Sequence, residues 1–123
     1  MMRFTLAEHR DRHFGTHFDL FLEQPTEMLR SWRLSRIPMR AAQSAEIILP
    51  HRPVYLDYSG PVHPDRGWVR PWDQGRYVLW HEDAHTLRVQ LWGKKLSGRL
   101  EMEGDSTESG SSWLLRFEPW TGK

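Results

Sequence analysis

Proline and glycine interrupt this chain too often for long helices to form. Eight prolines and nine glycines are spread through its 123 residues, and a proline inside a helix removes a hydrogen bond and clashes with the preceding turn. Between these interruptions, short runs alternate apolar and polar side chains, a period that suits a strand with one buried face. We therefore predict about ten short strands, at residues 3–7, 17–23, 28–34, 46–49, 53–58, 67–72, 76–80, 86–92, 97–103 and 112–117.

The connections between these runs favour an all-β or mainly β chain with little helix, folded as a barrel or a sandwich. Two polar segments that contain glycine, Asp73-Gln74-Gly75 and Gly93-Lys94-Lys95, have the composition of hairpin turns. Residues 103–111 are rich in glycine and serine and predict a mobile loop. The arginines between positions 30 and 40 keep helical spacing, but Pro38 would break a helix, so we predict strand up to Leu34 and loop beyond it.

Composition limits both the number of domains and the chemistry that is available. Apolar residues make up 38% of the chain, enough for one core, so we predict a single domain over residues 1–123, with the seven tryptophans as core filling. The sequence has no cysteine, so any metal must be held by nitrogen and oxygen. Charged residues near the N-terminus interrupt the apolar run that a signal peptide needs, and no run is long enough to span a membrane. We expect a soluble, cytoplasmic protein.

A histidine and an aspartate form the first candidate site. His17 and Asp19 are two residues apart, which on a strand places both side chains on one face. His9 precedes them by a short segment that could fold it back beside them, and His13 is a competing ligand. Two imidazoles and a carboxylate suit Mn, Zn or Fe and leave positions open for water or a phosphate oxygen. The alternative is a structural or surface role for the pair.

The charge balance gives no general affinity for nucleic acid. The net charge of +1 comes from 17 basic and 16 acidic residues, so a nucleic-acid partner would need a local basic patch. One candidate patch consists of closely spaced arginines, which are Arg30, Arg33, Arg36, Arg40 and then Arg52. The alternative is a solvated arginine-rich surface.

A second candidate site begins at His51. In the segment from His51 to Tyr58, the His51 imidazole, the Arg52 guanidinium and the Tyr55 phenol could surround an anion, with His51 as an acid or base. The alternative is a strand whose Tyr55 and Tyr58 pack in the wall of the fold.

Several motifs in a fixed order resemble one protein family. Glu8-His9, the run from His17 to Glu23 and then Leu29-Arg30-Ser31-Trp32 are similar to the opening of the 3'-phosphoesterase domain of bacterial DNA ligase D. Downstream, His51 and Tyr55 match the ends of a five-residue family motif, Trp72 to Gly75 resembles a Trp-Asp-x-Gly turn, and Gly93 to Arg99 is close to Gly-Glu-Lys-Leu-x-Gly-Arg. The similarity covers about residues 3 to 117.

The resemblance implies a closed antiparallel β-barrel with a manganese-dependent site, in which zinc or another divalent metal is the alternative. It implies removal of a 3'-phosphate or 3'-ribonucleotide from DNA or RNA-DNA primer ends during DNA repair and non-homologous end joining. A separate DNA ligase or polymerase would be the partner. The residues at matching positions are grouped by role: His9, His17 and Asp19 for the metal, His51 and Tyr55 for catalysis, and Arg36, with Arg40 and Arg52 as substitutes, for phosphate.

Two departures from the family pattern fall in its phosphate-binding half. Phe21 stands where the family has an arginine two residues after the metal-binding aspartate, and Gln43 stands where it has another. The segment between His9 and His17 is also longer than in typical members, which leaves His9 and His13 as alternatives. A second hypothesis is therefore a catalytically weakened member that binds nucleic acid or a repair partner. A third is a barrel that serves only as an interaction module.

Overall fold

Alternating side chains build nine β-strands in the computed structural model, which describes residues 1–120. The strands are β1 Met2–Asp11, β2 Gly15–Leu22, β3 Arg30–Leu34, β4 Gln43–Ile47, β5 Gly60–Pro61, β6 Trp68–Glu82, β7 Thr86–Gly93, β8 Ser97–Glu103 and β9 Ser112–Pro119. The helical residues in this part of the chain form one short 3-10 helix, Pro53–Leu56. The chain is thus nearly all β, as predicted.

Eight of these strands close into an antiparallel barrel. They follow the order β1-β2-β3-β4-β9-β8-β7-β6, and β6 pairs back onto β1 from Met2↔Tyr77 to Arg10↔Trp68. The two residues of β5 pair with β6 outside this ring. Closure leaves no free edge for the eight strands, which removes the main route to edge-to-edge aggregation. The predicted closed antiparallel barrel is confirmed. No helix among residues 1–120 is long and apolar enough to cross a membrane.

The interior of the barrel is filled by side chains from every second position of its strands. Trp32 and Trp113 pack edge to face in this core, with ring centroids 5.3 Å apart. The expectation that the tryptophans fill the core is wrong for four others. These four are between 42% and 49% exposed, namely Trp68, Trp80, Trp92 and Trp120, because the outward positions of a barrel wall also accept flat aromatic rings beside long polar side chains.

A second, smaller apolar cluster lies on the outside of the wall. Residues 48–67 cross over the outer face of β1, β2 and β3, and Leu56 packs there against Ala7 and Phe21. The hydroxyl of Thr5 on β1 donates a hydrogen bond of 2.7 Å to the Leu56 carbonyl. This crossing segment, residues 48–67, gives part of the wall a buried outer face.

The segment Asp73-Gln74-Gly75 is not a hairpin. It lies inside β6, so the two predicted strands 67–72 and 76–80 are one long strand that leaves β1 and continues along β7. The Asp73 carboxylate accepts hydrogen bonds from the backbone N–H groups of Gln74, Lys94, Lys95 and Leu96. A Cβ at position 75 would lie 2.0 Å from the Trp92 carbonyl oxygen. These turn-type residues therefore serve a close approach between strands rather than a chain reversal.

The predicted strand at residues 53–58 is also wrong, because this segment holds the 3-10 helix Pro53–Leu56. Pro53 fixes φ and has no N–H for a strand ladder, and the Tyr55 N–H donates to the Arg52 carbonyl at 3.0 Å. Other turn predictions are confirmed. Gly93-Lys94-Lys95 connects β7 to β8, residues 104–111 form the loop before β9, and the chain leaves β3 after Leu34.

Candidate metal centre

Strand pairing places the first candidate residues side by side. On β1 and β2, Phe4, Leu6, Leu20 and Leu22 point into the barrel, so the alternating positions between them point outward. His9 is the direct partner of His17 across the β1–β2 ladder, and Asp19 follows His17 on the same face. The two imidazole centroids are 4.5 Å apart.

These three side chains form a buried group with the geometry of a metal site. One nitrogen of each imidazole and one carboxylate oxygen of Asp19 all lie within 4.8 Å of one another. His9, His17 and Asp19 are only 6%, 8% and 4% exposed, although they stand on the outer face of the wall, where His9 contacts Arg66 of the crossing segment. Such a group could hold a metal ion, and its two nitrogens and one oxygen suit several divalent metals.

His17 supplies the most informative atom of this group. Its Nε2 is buried and has no hydrogen-bond partner among the described residues, and it lies 3.8 Å from Asp19 Oδ1. An unpaired buried polar atom costs about 1–3 kcal/mol. Burial lowers the pKa of His17 to about 4, although the Asp19 charge acts in the opposite direction. The ring is therefore neutral at pH 7, with a lone pair available to a metal.

The turn that precedes β6 orients the His9 ring. Its Nε2 lies 2.8 Å from the backbone carbonyl oxygen of Arg66. A carbonyl only accepts, so Nε2 must carry the proton and Nδ1 has the free lone pair. Metal-binding histidines usually have such a partner on the second nitrogen. The turn is pressed against β1, since a Cβ at Gly67 would lie 1.9 Å from the Arg10 carbonyl oxygen.

The structure brings His9, and not His13, together with His17 and Asp19. His13 lies in the exposed turn between β1 and β2, where its backbone N–H donates to Asp11 Oδ1 at 2.8 Å. Residues 12–14 form the tip of this hairpin, and His9 pairs with His17 in the strands that the tip connects.

A cavity of about 160 Å³ joins this group to the second candidate site. His9 and Asp19 form part of its wall, and His51 and Tyr55 form another part. His51 reaches the cavity through an isolated β-bridge to Leu29, the residue just before β3, in which its N–H donates to the Leu29 carbonyl and its carbonyl accepts from the Leu29 N–H. The 3-10 helix then places the Tyr55 ring edge-on to His51, with centroids 5.2 Å apart. The cavity therefore brings together four residues that the sequence assigned to two separate segments, and His17 adjoins it beside His9 and Asp19.

The tautomer of His51 also follows from its neighbours. His51 Nδ1 lies 3.0 Å from the Leu49 carbonyl oxygen and 3.2 Å from Ser31 Oγ. The carbonyl requires a proton on Nδ1, which leaves Nε2 as a proton acceptor. Burial is the main cause that lowers the pKa of His51. A neutral imidazole of this kind suits general base catalysis.

The two departures from the family pattern have structural roles here. Phe21 belongs to the outer apolar cluster and packs on His51, with ring centroids 4.8 Å apart. Gln43 is buried and braces the loop after β3, because its Oε1 accepts from the Arg36 N–H and its Nε2 donates to the Arg36 carbonyl.

The three arginines assigned to phosphate are not among the residues that line the cavity. Arg36 donates to the carbonyls of Ala41 and Ala42 in its own loop. Arg40 forms an exposed ion pair with Glu118, and Arg52 is exposed just before the 3-10 helix. Their role in phosphate binding stays a prediction.

Two other arginines line the cavity, and sequence reasoning did not assign them to the site. They are Arg33 on β3 and Arg66 in the turn before β6. The sequence placed Arg33 only in the candidate basic patch, although pairing β2 with β3 in register sets it opposite Asp19. Arg66 comes from an irregular turn distant in sequence, and no local pattern indicates it.

Comparison with known proteins adds no family assignment. No family model matches this chain, and a search of curated proteins finds no match either.

Proposed function

We propose that this protein is a divalent-metal-dependent phosphoesterase that acts on the 3' ends of nucleic-acid strands. The observation that carries the proposal is the buried, unpaired Nε2 of His17, which lies beside His9 and Asp19. Those two residues line a cavity whose wall also contains His51 and Tyr55. A metal would give this nitrogen the partner that the protein does not provide.

Each residue has a part that its surroundings support. His9 through Nδ1, His17 through Nε2 and Asp19 through its carboxylate would hold the metal. A bound divalent ion polarises a phosphoryl oxygen and lowers the pKa of a water molecule. His51 accepts a proton at Nε2, since its Nδ1–H is committed to Leu49, and the Tyr55 hydroxyl donates a hydrogen bond to a phosphoryl oxygen.

The choice of metal and substrate rests on the sequence resemblance to the ligase D 3'-phosphoesterase domain. It favours manganese, with zinc as the alternative, and a primer that ends in a 3'-phosphate or a 3'-ribonucleotide. The same resemblance places the reaction in DNA end repair, before a separate ligase or polymerase acts.

A second candidate function is a weakened member that binds nucleic-acid ends without cleaving them. It is favoured by Phe21 and Gln43, which replace arginines of the family pattern and have apolar and loop-bracing contacts here. Under this hypothesis the metal site and the barrel persist while hydrolysis is lost.

Labelled primers with a 3'-phosphate or a 3'-ribonucleotide, incubated with Mn²⁺, Zn²⁺ or Mg²⁺, test the proposal. We expect metal-dependent product release that is lost in His17→Ala and His51→Ala. His81→Ala is the matched control, because His81 is exposed and pairs with Asp83 far from the cavity. Metal binding without cleavage, combined with primer binding, would favour the second candidate. If the protein binds none of the three metals, both candidates are wrong.

A further inference from the structure

We infer that Arg33 and Arg66 form the anion-binding pair of this site and hold a tetrahedral oxyanion, such as a phosphate group, beside the metal. The inference rests on the proposed function, because it requires a metal at His9, His17 and Asp19. It goes beyond that function by assigning the phosphate contacts to two residues outside the family motif.

Arg33 reaches the cavity from the strand next to the metal ligands. It is the register partner of Asp19 across the β2–β3 ladder, and its Nε donates to Asp19 Oδ1 at 3.3 Å. Its side chain is 35% exposed, and its two Nη groups have no protein partner within residues 1–120. A guanidinium held by one edge keeps its remaining N–H donors for a planar, paired contact with an oxyanion.

Arg66 approaches from the facing turn and is fixed at both of its ends. Its Nε and Nη2 donate to Asp11 Oδ2 at 3.3 and 3.1 Å, and its carbonyl accepts a hydrogen bond from His9 Nε2. The Asp11 carboxylate is itself held by the backbone N–H groups of His13 and Phe14. Arg66 Nη1 makes no hydrogen bond to the described part of the chain. Preorganised donors of this kind lose little entropy when they bind an anion.

The charges around the cavity explain why a bound metal would strengthen the binding of an anion. Arg33 and Arg66 are balanced by Asp19 and Asp11, with which they form ion pairs. The site without metal therefore has no excess of positive charge among these groups. A divalent ion would add two positive charges in a half-enclosed space, where charge interactions are stronger than in water. Anion binding and metal binding should then favour each other.

The same two arginines account for the departures at positions 21 and 43. The Phe21 ring packs against His51, and the Gln43 side chain forms hydrogen bonds with the Arg36 backbone. Arg33 and Arg66 bring two guanidinium groups to the cavity from a neighbouring strand and from the facing turn. The positive charge is relocated rather than lost.

Calorimetric titration of the Mn²⁺-loaded protein with inorganic phosphate tests this assignment. Arg33→Gln and Arg66→Gln should each weaken phosphate binding by roughly tenfold or more, since each removes a charge-assisted hydrogen bond to the anion. Arg88→Gln is the matched control, because Arg88 pairs with Glu101 on the outer face of β7 and β8. Arg33→Lys, which keeps the charge but not the paired donors, should fall between Arg33→Gln and the wild type. In the absence of metal, phosphate binding should be weaker than in its presence.

Separate outcomes would overturn the inference and the proposed function. If the protein binds Mn²⁺ and phosphate, but Arg36→Gln or Arg52→Gln lowers phosphate affinity while Arg33→Gln and Arg66→Gln do not, the inference is wrong and the metal site stands. The inference is also wrong if the Mn²⁺-loaded protein binds no phosphate. If the wild-type protein binds no Mn²⁺ or Zn²⁺ at all, the proposed function fails first. Manganese affinity of each variant, measured separately, identifies any substitution that acts by damaging the metal site.

Discussion

At the scale of single residues, the three metal-site side chains differ in what they contribute to the folded protein. His17 leaves a buried nitrogen unpaired, whereas His9 satisfies the Arg66 carbonyl and Asp19 accepts from Arg33. His17 therefore costs stability that the other two do not. Such a cost is typical of a residue that serves binding rather than folding.

Replacing His17 with an apolar residue of similar shape should stabilise the metal-free protein. We expect His17→Phe to raise the free energy of unfolding by about 1 kcal/mol, because the desolvated nitrogen disappears, and to abolish the stabilisation produced by added Mn²⁺. Urea unfolding with and without Mn²⁺ measures both effects. His9→Phe is the contrasting variant, and it should destabilise the metal-free protein because the Arg66 carbonyl loses its donor. Equal destabilisation by the two variants would contradict this account of His17.

The low pKa of His17 also makes stability depend on pH. The folded protein binds the proton only near pH 4, whereas the unfolded chain binds it near the ordinary pKa of 6.5. The unfolded state thus holds more protons between these values, so stability should be full above pH 6.5 and decrease as the pH falls toward 4. The lowered pKa of His51 acts in the same direction. Urea unfolding across this range should show a smaller pH dependence for His17→Phe than for the wild type, and an unchanged slope would refute the assignment.

At the scale of elements, the turn before β6 holds the site together. Residues 62–67 are closed by hydrogen bonds from the Val62 N–H to Gly67 and from the Arg66 N–H to Val62. This turn presents the carbonyl of Arg66 to His9 and its guanidinium to Asp11. Its position depends on Gly67, which has a φ of +88° and touches the end of β1.

A side chain at position 67 should therefore damage metal binding as well as folding. Gly67→Ala places a Cβ against the Arg10 carbonyl at a positive φ, so we expect a loss of about 2 kcal/mol or more in stability and weaker Mn²⁺ affinity. Gly15→Ala is the matched control, since Gly15 also has a positive φ, of +77°, but open space around it. That variant should cost only about 1–2 kcal/mol of backbone strain and leave Mn²⁺ affinity intact. Calorimetry with Mn²⁺ on both variants distinguishes strain from displacement of the turn.

The sequence predicted those elements whose structure depends on local alternation. His17 and Asp19 share a face because side chains on a strand alternate between its two faces. The alternation of apolar and polar residues in this segment is enough to predict it. The positions of Arg66 and of the crossing segment could not be predicted, because an irregular segment has no repeating pattern of apolar and polar residues. Asp73-Gln74-Gly75 was misread for a related reason. Turn-forming residues indicate special backbone demands, but those demands arise at a close strand crossing as well as at a reversal.

At the scale of the whole molecule, closure of the barrel depends on the long strand β6. Its first part pairs with β1 and its later part with β7. It therefore joins β7 to β1 and completes the ring. Asp73 pairs with Leu6 of β1 and lies two residues before Gly75, where the pairing with β7 begins. Its carboxylate receives four backbone N–H groups, three of them from the connection between β7 and β8.

Removing that carboxylate should weaken the barrel without changing the chemistry of the site. We expect Asp73→Ala to lower the free energy of unfolding by about 3 kcal/mol, because buried backbone donors lose a charged acceptor. Mn²⁺ affinity of the folded protein should not change. Asp83→Ala, at the exposed connection between β6 and β7, should have an effect within about 0.5 kcal/mol. Thermal unfolding compares the two, and similar small losses in both would show that Asp73 does not secure the closure.

The candidate site lies on the outside of the barrel wall, between β1, β2, β3 and the crossing segment, while the interior is filled with apolar side chains. The crossing segment packs on a small apolar cluster separate from the barrel core, so we expect it to open more readily than the wall unfolds. Under the proposed function, a local fluctuation of residues 48–67 would be enough to admit a substrate. Amide hydrogen exchange should be faster in that segment than in the strands beneath it, and slower when metal is bound. The barrel wall carries the three candidate metal ligands, whereas the crossing segment carries His51 and Tyr55. Substitutions in the wall and in the crossing segment would then change metal binding and catalysis separately.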